Sequence, residues 1–327
     1  MNAPNSIARS KIFQTVFKIA FSAMLLFYIL SKADVGAIGR ILSSIKINYY
    51  LAALCVFFIA QPVKTIRWSI FLKVKSVSIP QKKLLLLYFI GLFFNNFLPT
   101  VVGGDMVRTW YIYKEYHTRE IPALSVAIER LCGLFSLFVI GLLSGCYWFF
   151  LFGASPLVTT CLTTCIIIIA SMLLLVSPSF HTTLTQLLKK MNLIRGLRGI
   201  GSIYRSFQGY TRERKALCTG FILSLVASGA SIFVSYCLSL SLAWDIPFTL
   251  FLFVMPIITI LTMIPVTFGG IGLRESAFFL VFSQVGVTGP SAVSLALLWY
   301  SINLISGAVG GVCYALYRTK PSGKIQY

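Results

Sequence analysis

The stretch Pro99-Thr-Val-Val-Gly-Gly-Asp-Met-Val-Arg108 recurs in the second half of the chain as Pro265-Val-Thr-Phe-Gly-Gly-Ile-Gly-Leu-Arg274. Each copy places a proline, two glycines and an arginine at the same offsets, within apolar sequence that otherwise carries few charges. Lipid offers no hydrogen-bond partner to an interrupted helix backbone, and it does not solvate ions. Helix-breaking and charged residues are therefore rare in lipid-exposed segments. The repeated stretch therefore predicts a polar site inside a membrane protein.

The overall composition supports a membrane environment. The chain has 327 residues, of which 57% are hydrophobic and 11% charged, and its mean hydropathy is +0.87. This is more apolar surface than one soluble core can hide, and several runs approach the roughly 20 residues that cross a bilayer. We expect an all-α polytopic membrane protein that forms one integral membrane domain over residues 1–327.

The net charge of +20 is distributed in clusters rather than spread along the chain. Twenty of the 28 Lys and Arg residues lie in 9–18, 64–83, 189–215 and 318–324, beside apolar segments. Basic residues flanking spans are typical of cytoplasmic loops, and each adds about 1 kcal/mol of attraction to anionic lipid. We therefore expect a bacterial inner (plasma) membrane protein with both termini in the cytoplasm, and lipid rather than nucleic acid as its partner.

Hydropathy and helix breakers divide the chain into membrane segments. The predicted segments are 14–31, 48–63, 84–98, 104–116, 121–151, 156–177, 216–242, 248–264, 270–286 and 291–317. The pairs 84–98 with 104–116 and 248–264 with 270–286 are short for full spans and are interrupted by Pro and Gly, which predicts re-entrant helical hairpins. We expect about six full transmembrane helices plus two hairpins, about eight membrane units in all.

The basic loops also set the topology. If 64–83 and 178–215 are both cytoplasmic, an even number of crossings separates them, and the two hairpins open to opposite faces of the membrane. Each half then has an odd number of crossings, so the second half is inverted relative to the first. The predicted first repeat is 1–151 and the second, inverted repeat is 152–327.

The candidate substrate-binding residues are the polar and glycine residues in or beside the repeated stretch. They are Asn95, Asn96, Gly103, Gly104, Asp105, Arg108, Glu129, Arg130, Gly269, Gly270, Arg274 and Glu275. The glycines allow a break and a new half-helix, whose N-terminus attracts phosphate or carboxylate, and the arginines lie one turn further along. Ions in a membrane cost about 2.5–3.5 kcal/mol each at mid-span, so they should face one another or a wet cavity.

Several roles stay open for these residues. Asp105 is either an N-cap or a substrate ligand, and it pairs either with Arg108 three residues on or across the repeats. The crossed arrangement joins Arg108 to Glu275, and Arg274 to Asp105 or Glu129. Each Gly-Gly pair is either part of the binding site or only a tight turn. Glu129 and Glu275 either belong to the binding site or form structural ion pairs. Asn95 and Asn96 either cap backbone groups or line a cavity.

Other features of the chain point away from catalysis. The eight cysteines lie in or at the ends of apolar runs, where Cys behaves as a small hydrophobe, and two histidines offer no ligand set for a metal. We expect no disulfide, metal or cofactor, no catalytic residues, and no ATP hydrolysis, since no Gly-rich phosphate loop is present. The stretch 180–215 alternates apolar and basic residues and is either an interfacial amphipathic segment or a basic loop that sets orientation.

The quoted residues resemble one known family. The stretches from Asn95 to Arg108 and from Pro265 to Glu275, with Arg67-Trp68, are similar to the flippase-like domain of the lysylphosphatidylglycerol synthase transmembrane family. The likeness covers essentially the whole chain, and it implies translocation of a lipid with a polar or charged head group. Aminoacylating members carry a soluble catalytic domain after the membrane region, whereas this chain ends ten residues after Tyr317, so we expect no lysyl-lipid synthesis by this chain.

Three classes of function follow from these observations. The first is a flippase for an anionic or polyprenyl-phosphate-linked lipid, acting as a homo-oligomer or with an enzyme that makes the lipid. The second is an ion-coupled secondary transporter of a small anion. The third is an embedded transferase, or an accessory membrane subunit for lipid or glycan modification.

Overall fold

The apolar segments fold as helices, because a helix satisfies its backbone N–H and C=O groups within the segment when lipid surrounds it. The computed structural model of the chain describes residues 24, 35–97, 103–116, 120–153, 156–176, 210, 213–263 and 272–317. Within these ranges the chain is helical and contains no strand. The all-α class expected from the sequence is confirmed.

Ten helices account for the regular structure of the described ranges. They are α1 (Val35–Ser43), α2 (Ile47–Lys73), α3 (Gln81–Phe97), α4 (Gly103–Tyr116), α5 (Glu120–Phe152), α6 (Pro156–Val176), α7 (Arg214–Ser241), α8 (Phe248–Met263), α9 (Leu273–Ser283) and α10 (Gly289–Leu316). Helices α3 and α4 follow the predicted segments 84–98 and 104–116 closely, and α8 and α9 correspond to 248–264 and 270–286.

Within the described ranges, four helices are long and apolar enough to cross a membrane. They are α2, α5 over Ile121–Leu151, α7 and α10. Shorter apolar helices occupy Val158–Ser171 and Phe248–Met263. These helices confirm an integral membrane protein, while the number of spans and the re-entrant path of the hairpins stay predictions.

Helix α2 corrects one predicted boundary. We expected a span at 48–63 followed by a basic loop, yet the helix continues through Pro62 to Lys73. Proline is tolerated in membrane helices when neighbouring groups re-satisfy the backbone. The last part of the helix carries Arg67 and Trp68, which are both buried, and their packing holds as helix a stretch that composition alone assigns to a loop.

Helix α1 was not predicted as an element, because nine residues with two glycines and an arginine lack membrane length. The predicted first segment, 14–31, lies outside the described residues apart from Met24. The stretch 180–215 lies outside them apart from 210 and 213–215. Both expectations therefore stay predictions, as does the division into repeats 1–151 and 152–327.

The described residues belong to two compact units. The first unit draws them from 1–59, 86–108 and 231–320. In it α1 packs on α10 through Ile38 and Val293, and the Lys46 N–H donates to the Ser241 carbonyl at 2.8 Å. Aromatic rings fill the space between α8 and α9, where Phe251 and Phe282 have centroids 5.4 Å apart.

The second unit draws its described residues from 60–85 and 109–230. Its helices α5 and α6 are neighbours, and Gly153, directly after α5, has a positive φ of 67°. Phe71, Ile128 and Tyr210 form a buried apolar cluster. Gly220 of α7 lies against the Phe71 ring so closely that a Cβ there would be 2.8 Å from the ring atom Cε1.

Candidate functional site

The first copy of the repeated stretch begins helix α4. The Gly104 N–H donates a hydrogen bond of 2.8 Å to Oδ1 of Asn95, near the end of α3. An unpaired N–H in the first turn of a helix requires such an acceptor. Of the two roles expected for the asparagines, Asn95 therefore has the capping role in the structure.

Asn96 has a different partner. Its Nδ2 donates to the carbonyl oxygen of Asn303 on α10, at 3.0 Å. Gly310 on the same helix lets α3 approach, since a Cβ there would lie 2.9 Å from the carbonyl carbon of Phe89. The asparagine thus ties α3 to α10 within the first unit.

Helices α3 and α4 form an antiparallel hairpin. A Cβ at Gly91 would lie 3.1 Å from the carbonyl oxygen of Gly104, so the two backbones touch at this point. As α4 runs forward from Gly104 to Arg108, its contacts on α3 move to lower residue numbers, from Asn95 and Gly91 to Tyr88. This order of contacts is that of two antiparallel helices. The second glycine of the repeated stretch therefore allows close packing of the two arms.

The charged residues of α4 are buried beside this contact. Arg108 is 4% exposed, and its Nη2 donates to Oδ1 of Asp105 at 2.9 Å. Its guanidinium carbon lies 4.8 Å from the centre of the Tyr88 ring, within the range of a cation–π contact. The local pairing that the spacing of three residues allowed is confirmed.

The second copy of the stretch begins helix α9, although Gly269 and Gly270 lie outside the described residues. Gly272, with φ of 85°, precedes the helix, and its N–H donates to Oε2 of the buried Glu275 at 2.7 Å. A carboxylate in the first turn stabilises the positive end of the helix dipole. Arg274 interacts electrostatically with Glu275 and with Tyr300.

A separate buried ion pair lies in the second unit. Nη2 of Arg67 donates to Oε1 of Glu129 at 2.8 Å, and Nη1 donates to the Ser224 hydroxyl at 3.0 Å. Glu129 is only 1% exposed. Lys64, one turn before Arg67, interacts electrostatically with both members of the pair.

These contacts change the expected pairing. The crossed arrangement joined Arg108 to Glu275, and Arg274 to Asp105 or Glu129, but the structure gives Arg108 the local partner Asp105 and gives Glu129 the partner Arg67. Arg130, the next residue on α5, is half-buried. Neighbours on a helix point about 100° apart, so Glu129 and Arg130 face different surroundings.

Sequence reasoning did not assign Lys64, Arg67 or Ser224 to a site. The first two fell in a stretch interpreted as a cytoplasmic loop, and Ser224 is one of many serines in apolar helices. The available signal was Arg67-Trp68 as a family signature. In the structure both residues of this pair join helices: Arg67 binds Glu129 of α5, and Trp68 holds α2 to α5 by donating from Nε1 to the Ser125 hydroxyl at 3.0 Å.

Other reactive groups do not assemble into a site in the described ranges. All eight cysteines are free thiols. No three His, Cys, Asp or Glu residues come together as metal ligands in the part of the chain that the structure describes.

Membrane-spanning helices with ions buried between them define a polytopic helical membrane protein. Within that class, residues 15–311 match the family described as lysylphosphatidylglycerol synthase TM region, so the chain belongs to this family. The expected family membership is confirmed.

Curated relatives agree with this assignment. A UPF0104 membrane protein of Pyrococcus horikoshii is 24% identical over 84% of this chain and 88% of its own length. A UPF0104 membrane protein of Methanocaldococcus jannaschii is 23% identical over 88% of this chain and 90% of its own. A third, from Methanothermobacter thermautotrophicus, is 24% identical over 76% of this chain and 78% of its own.

Proposed function

We propose that the protein translocates a membrane lipid with a charged or phosphate-containing head group, through a central polar site formed by two re-entrant hairpins. The observation that carries the proposal is Arg108, an arginine only 4% exposed at the start of a half-length helix in a very apolar chain. An arginine within a membrane costs about 2.5–3.5 kcal/mol, so its retention points to a function. The guanidinium supplies the charge and the fork that a phosphate oxygen requires.

The hairpin geometry supports the same function. Helix α4 has 14 residues and α9 has 11, which correspond to about 21 Å and 16 Å and are shorter than the hydrocarbon core of about 30 Å. Helix α4 begins at Gly103 and α9 directly follows Gly272, and each helix carries an acidic residue and an arginine in its first two turns. Half-helix N-termini inside a membrane bind anionic groups in transporters with inverted repeats.

The family description supports a lipid as the substrate. It names a lysylphosphatidylglycerol synthase, and lysylphosphatidylglycerol carries both a phosphate and amino groups on its head group. An aminoacyl-phospholipid and a polyprenyl-phosphate-linked sugar both fit a site containing arginine and a carboxylate. In this proposal the protein is not an enzyme, lies in the plasma membrane with both termini in the cytoplasm, and acts as a homo-oligomer or beside the enzyme that makes the lipid.

Reconstitution into liposomes tests the proposal. Fluorescent phospholipids with anionic and zwitterionic head groups are placed in both leaflets, and a membrane-impermeant quencher measures their exchange across the bilayer. We expect native protein to accelerate exchange of the anionic lipid, and Arg108→Ala or Arg274→Ala to slow it about tenfold or more, as loss of a charged hydrogen bond predicts. Arg40→Ala is the matched control, since Arg40 is exposed on α1.

Two results would contradict the proposal. Equal exchange by native protein and by both arginine variants would remove these arginines from the mechanism. No exchange of any lipid by native protein, together with uptake of a soluble anion such as phosphate, would favour the secondary transporter instead.

A further inference from the structure

The ionic group of the second unit contains more positive than negative charge. We call Lys64, Arg67, Glu129 and Ser224 the α2 cationic cluster. Lys64 and Arg67 interact electrostatically with each other and with the same carboxylate, that of Glu129. Arg67 is 7% exposed, so this charge is largely removed from water.

Among the carboxylates whose surroundings the structure describes, those outside this cluster bind other partners or are exposed. Only eight acidic residues accompany the 28 basic ones. The other carboxylates that are buried in the described ranges bind within their own helices, Asp105 to Arg108 and Glu275 to the Gly272 N–H. A buried group with two cations and one carboxylate is stabilised when a further anion joins it.

The guanidinium of Arg67 also retains an unused donor. Its two terminal nitrogens bind Glu129 and Ser224, while its buried Nε makes no hydrogen bond to any residue that the structure describes. Buried donors in native proteins nearly always have a partner, and one without a partner requires an explanation. Ser224 donates to the Gly220 carbonyl at 2.8 Å, so its hydroxyl accepts from Arg67 and holds the guanidinium in place.

We infer that the α2 cationic cluster binds one phosphate oxyanion, which is either the phosphate of a lipid head group or a free phosphate ion. Arginine and lysine together supply charge-assisted hydrogen bonds to such an oxygen. Lys64 is half-buried and gives the anion its approach, with Arg67 behind it. Glu129 is the internal counter-ion, which competes with the bound anion for Arg67.

None of the four residues of this cluster belongs to the hairpins, and binding of an anion to the cluster does not require lipid translocation. A protein that binds the anion but moves no lipid would overturn only the proposed function. A protein that moves lipid with no anion binding at this cluster would overturn only the inference.

The test measures binding to the full chain purified in a neutral detergent. Thermal unfolding is followed while one of two anions is titrated at constant ionic strength, either inorganic phosphate against chloride or dihexanoyl phosphatidic acid against dihexanoylglycerol. Ligand that binds only the folded state raises the unfolding temperature as its concentration exceeds the dissociation constant. We expect both Lys64→Gln and Arg67→Gln to weaken binding about tenfold or more.

The decisive variant is Glu129→Gln, which keeps the shape of the side chain and an acceptor for Arg67 while removing the competing charge. We expect it to bind the anion about tenfold more tightly than native protein. Lys73→Gln, on the same helix and exposed, is the control and should bind as the native protein does.

The outcomes separate an anion site from a structural ion pair. If Glu129→Gln binds no more tightly than native protein, or if Arg67→Gln and Lys64→Gln bind as native protein does, the inference is overturned. If Arg67→Gln does not fold, the opposite changes expected in Lys64→Gln and Glu129→Gln still decide the question. A response to inorganic phosphate as well as to phosphatidic acid supports the oxyanion itself as ligand, and a response to phosphatidic acid alone supports the lipid head group.

Discussion

Replacing Gly104 with alanine should separate the two arms of the first hairpin. A Cβ at this position would lie 2.6 Å from the carbonyl carbon of Gly91 and 2.8 Å from Oδ1 of Asn95. Ordinary contacts between carbon atoms are about 3.5–4.0 Å, so the helices must move apart by about 1 Å. The backbone of Gly91 cannot rotate away as a side chain would, and movement of the arms also strains the Asn95 hydrogen bond to the Gly104 N–H.

The expected loss in the free energy of unfolding is about 2–4 kcal/mol, of which overpacking contributes about 1–3 and the hydrogen bond about 1. Unfolding of the purified protein by SDS titration, followed by helical circular dichroism, measures it. The matched control is Gly229→Ala on α7, where a Cβ meets no atom within 4 Å, and this change should stabilise the helix by up to about 1 kcal/mol. A loss below about 0.5 kcal/mol for Gly104→Ala would show that the backbone contact is not as described, because overpacking normally costs more.

Two further substitutions test the core of the second unit. Tyr210 is 1% exposed, burial raises its pKa to about 12, and its hydroxyl has no hydrogen-bond partner in the described ranges. Tyr210→Phe should therefore leave the unfolding free energy unchanged or raise it by up to about 2 kcal/mol, and a loss above about 1 kcal/mol in an SDS titration would mean that the hydroxyl has a partner. Trp68→Phe removes the hydrogen bond to Ser125 and leaves a cavity, so it should lower the free energy of unfolding by about 1–3 kcal/mol. The control is Trp110→Phe at an exposed position, which should change the free energy of unfolding little. Equal effects of the two substitutions in the same titration would contradict the described burial of Trp68.

Features that depend on local sequence were predicted well. The arms of the first hairpin were placed within three residues of α3 and α4, because proline and glycine interrupt a helix where they stand. The Asp105–Arg108 pair was also among the expected alternatives, since residues three apart share a helix face. The re-entrant path, the inverted repeat and the substrate stay predictions.

Features that depend on packing were not predicted. Arg67 and Glu129 are 62 residues apart in sequence, and Arg67 and Ser224 are 157 apart, so no periodicity connects them. Composition favoured a loop for the basic stretch after Pro62, whereas burial of Trp68 and the ion pair keep it helical. The crossed pairing was based on symmetry between the repeats, and symmetry does not determine which side chains come within hydrogen-bonding distance.

The sequence by itself determined that this protein is helical, lies in a membrane and keeps ions where they are costly. Those properties follow from hydropathy, from chain breakers and from the count of charges, all of which are independent of tertiary contacts. Only the tertiary structure decided that Arg108 binds Asp105 and that Arg67 binds Glu129, because a buried ion takes whichever partner the helix packing brings within about 3 Å. The same packing brought a single carboxylate, that of Glu129, to Arg67, while Lys64 lies one turn away on the same helix, and this excess of positive charge is the basis for the proposed anion site.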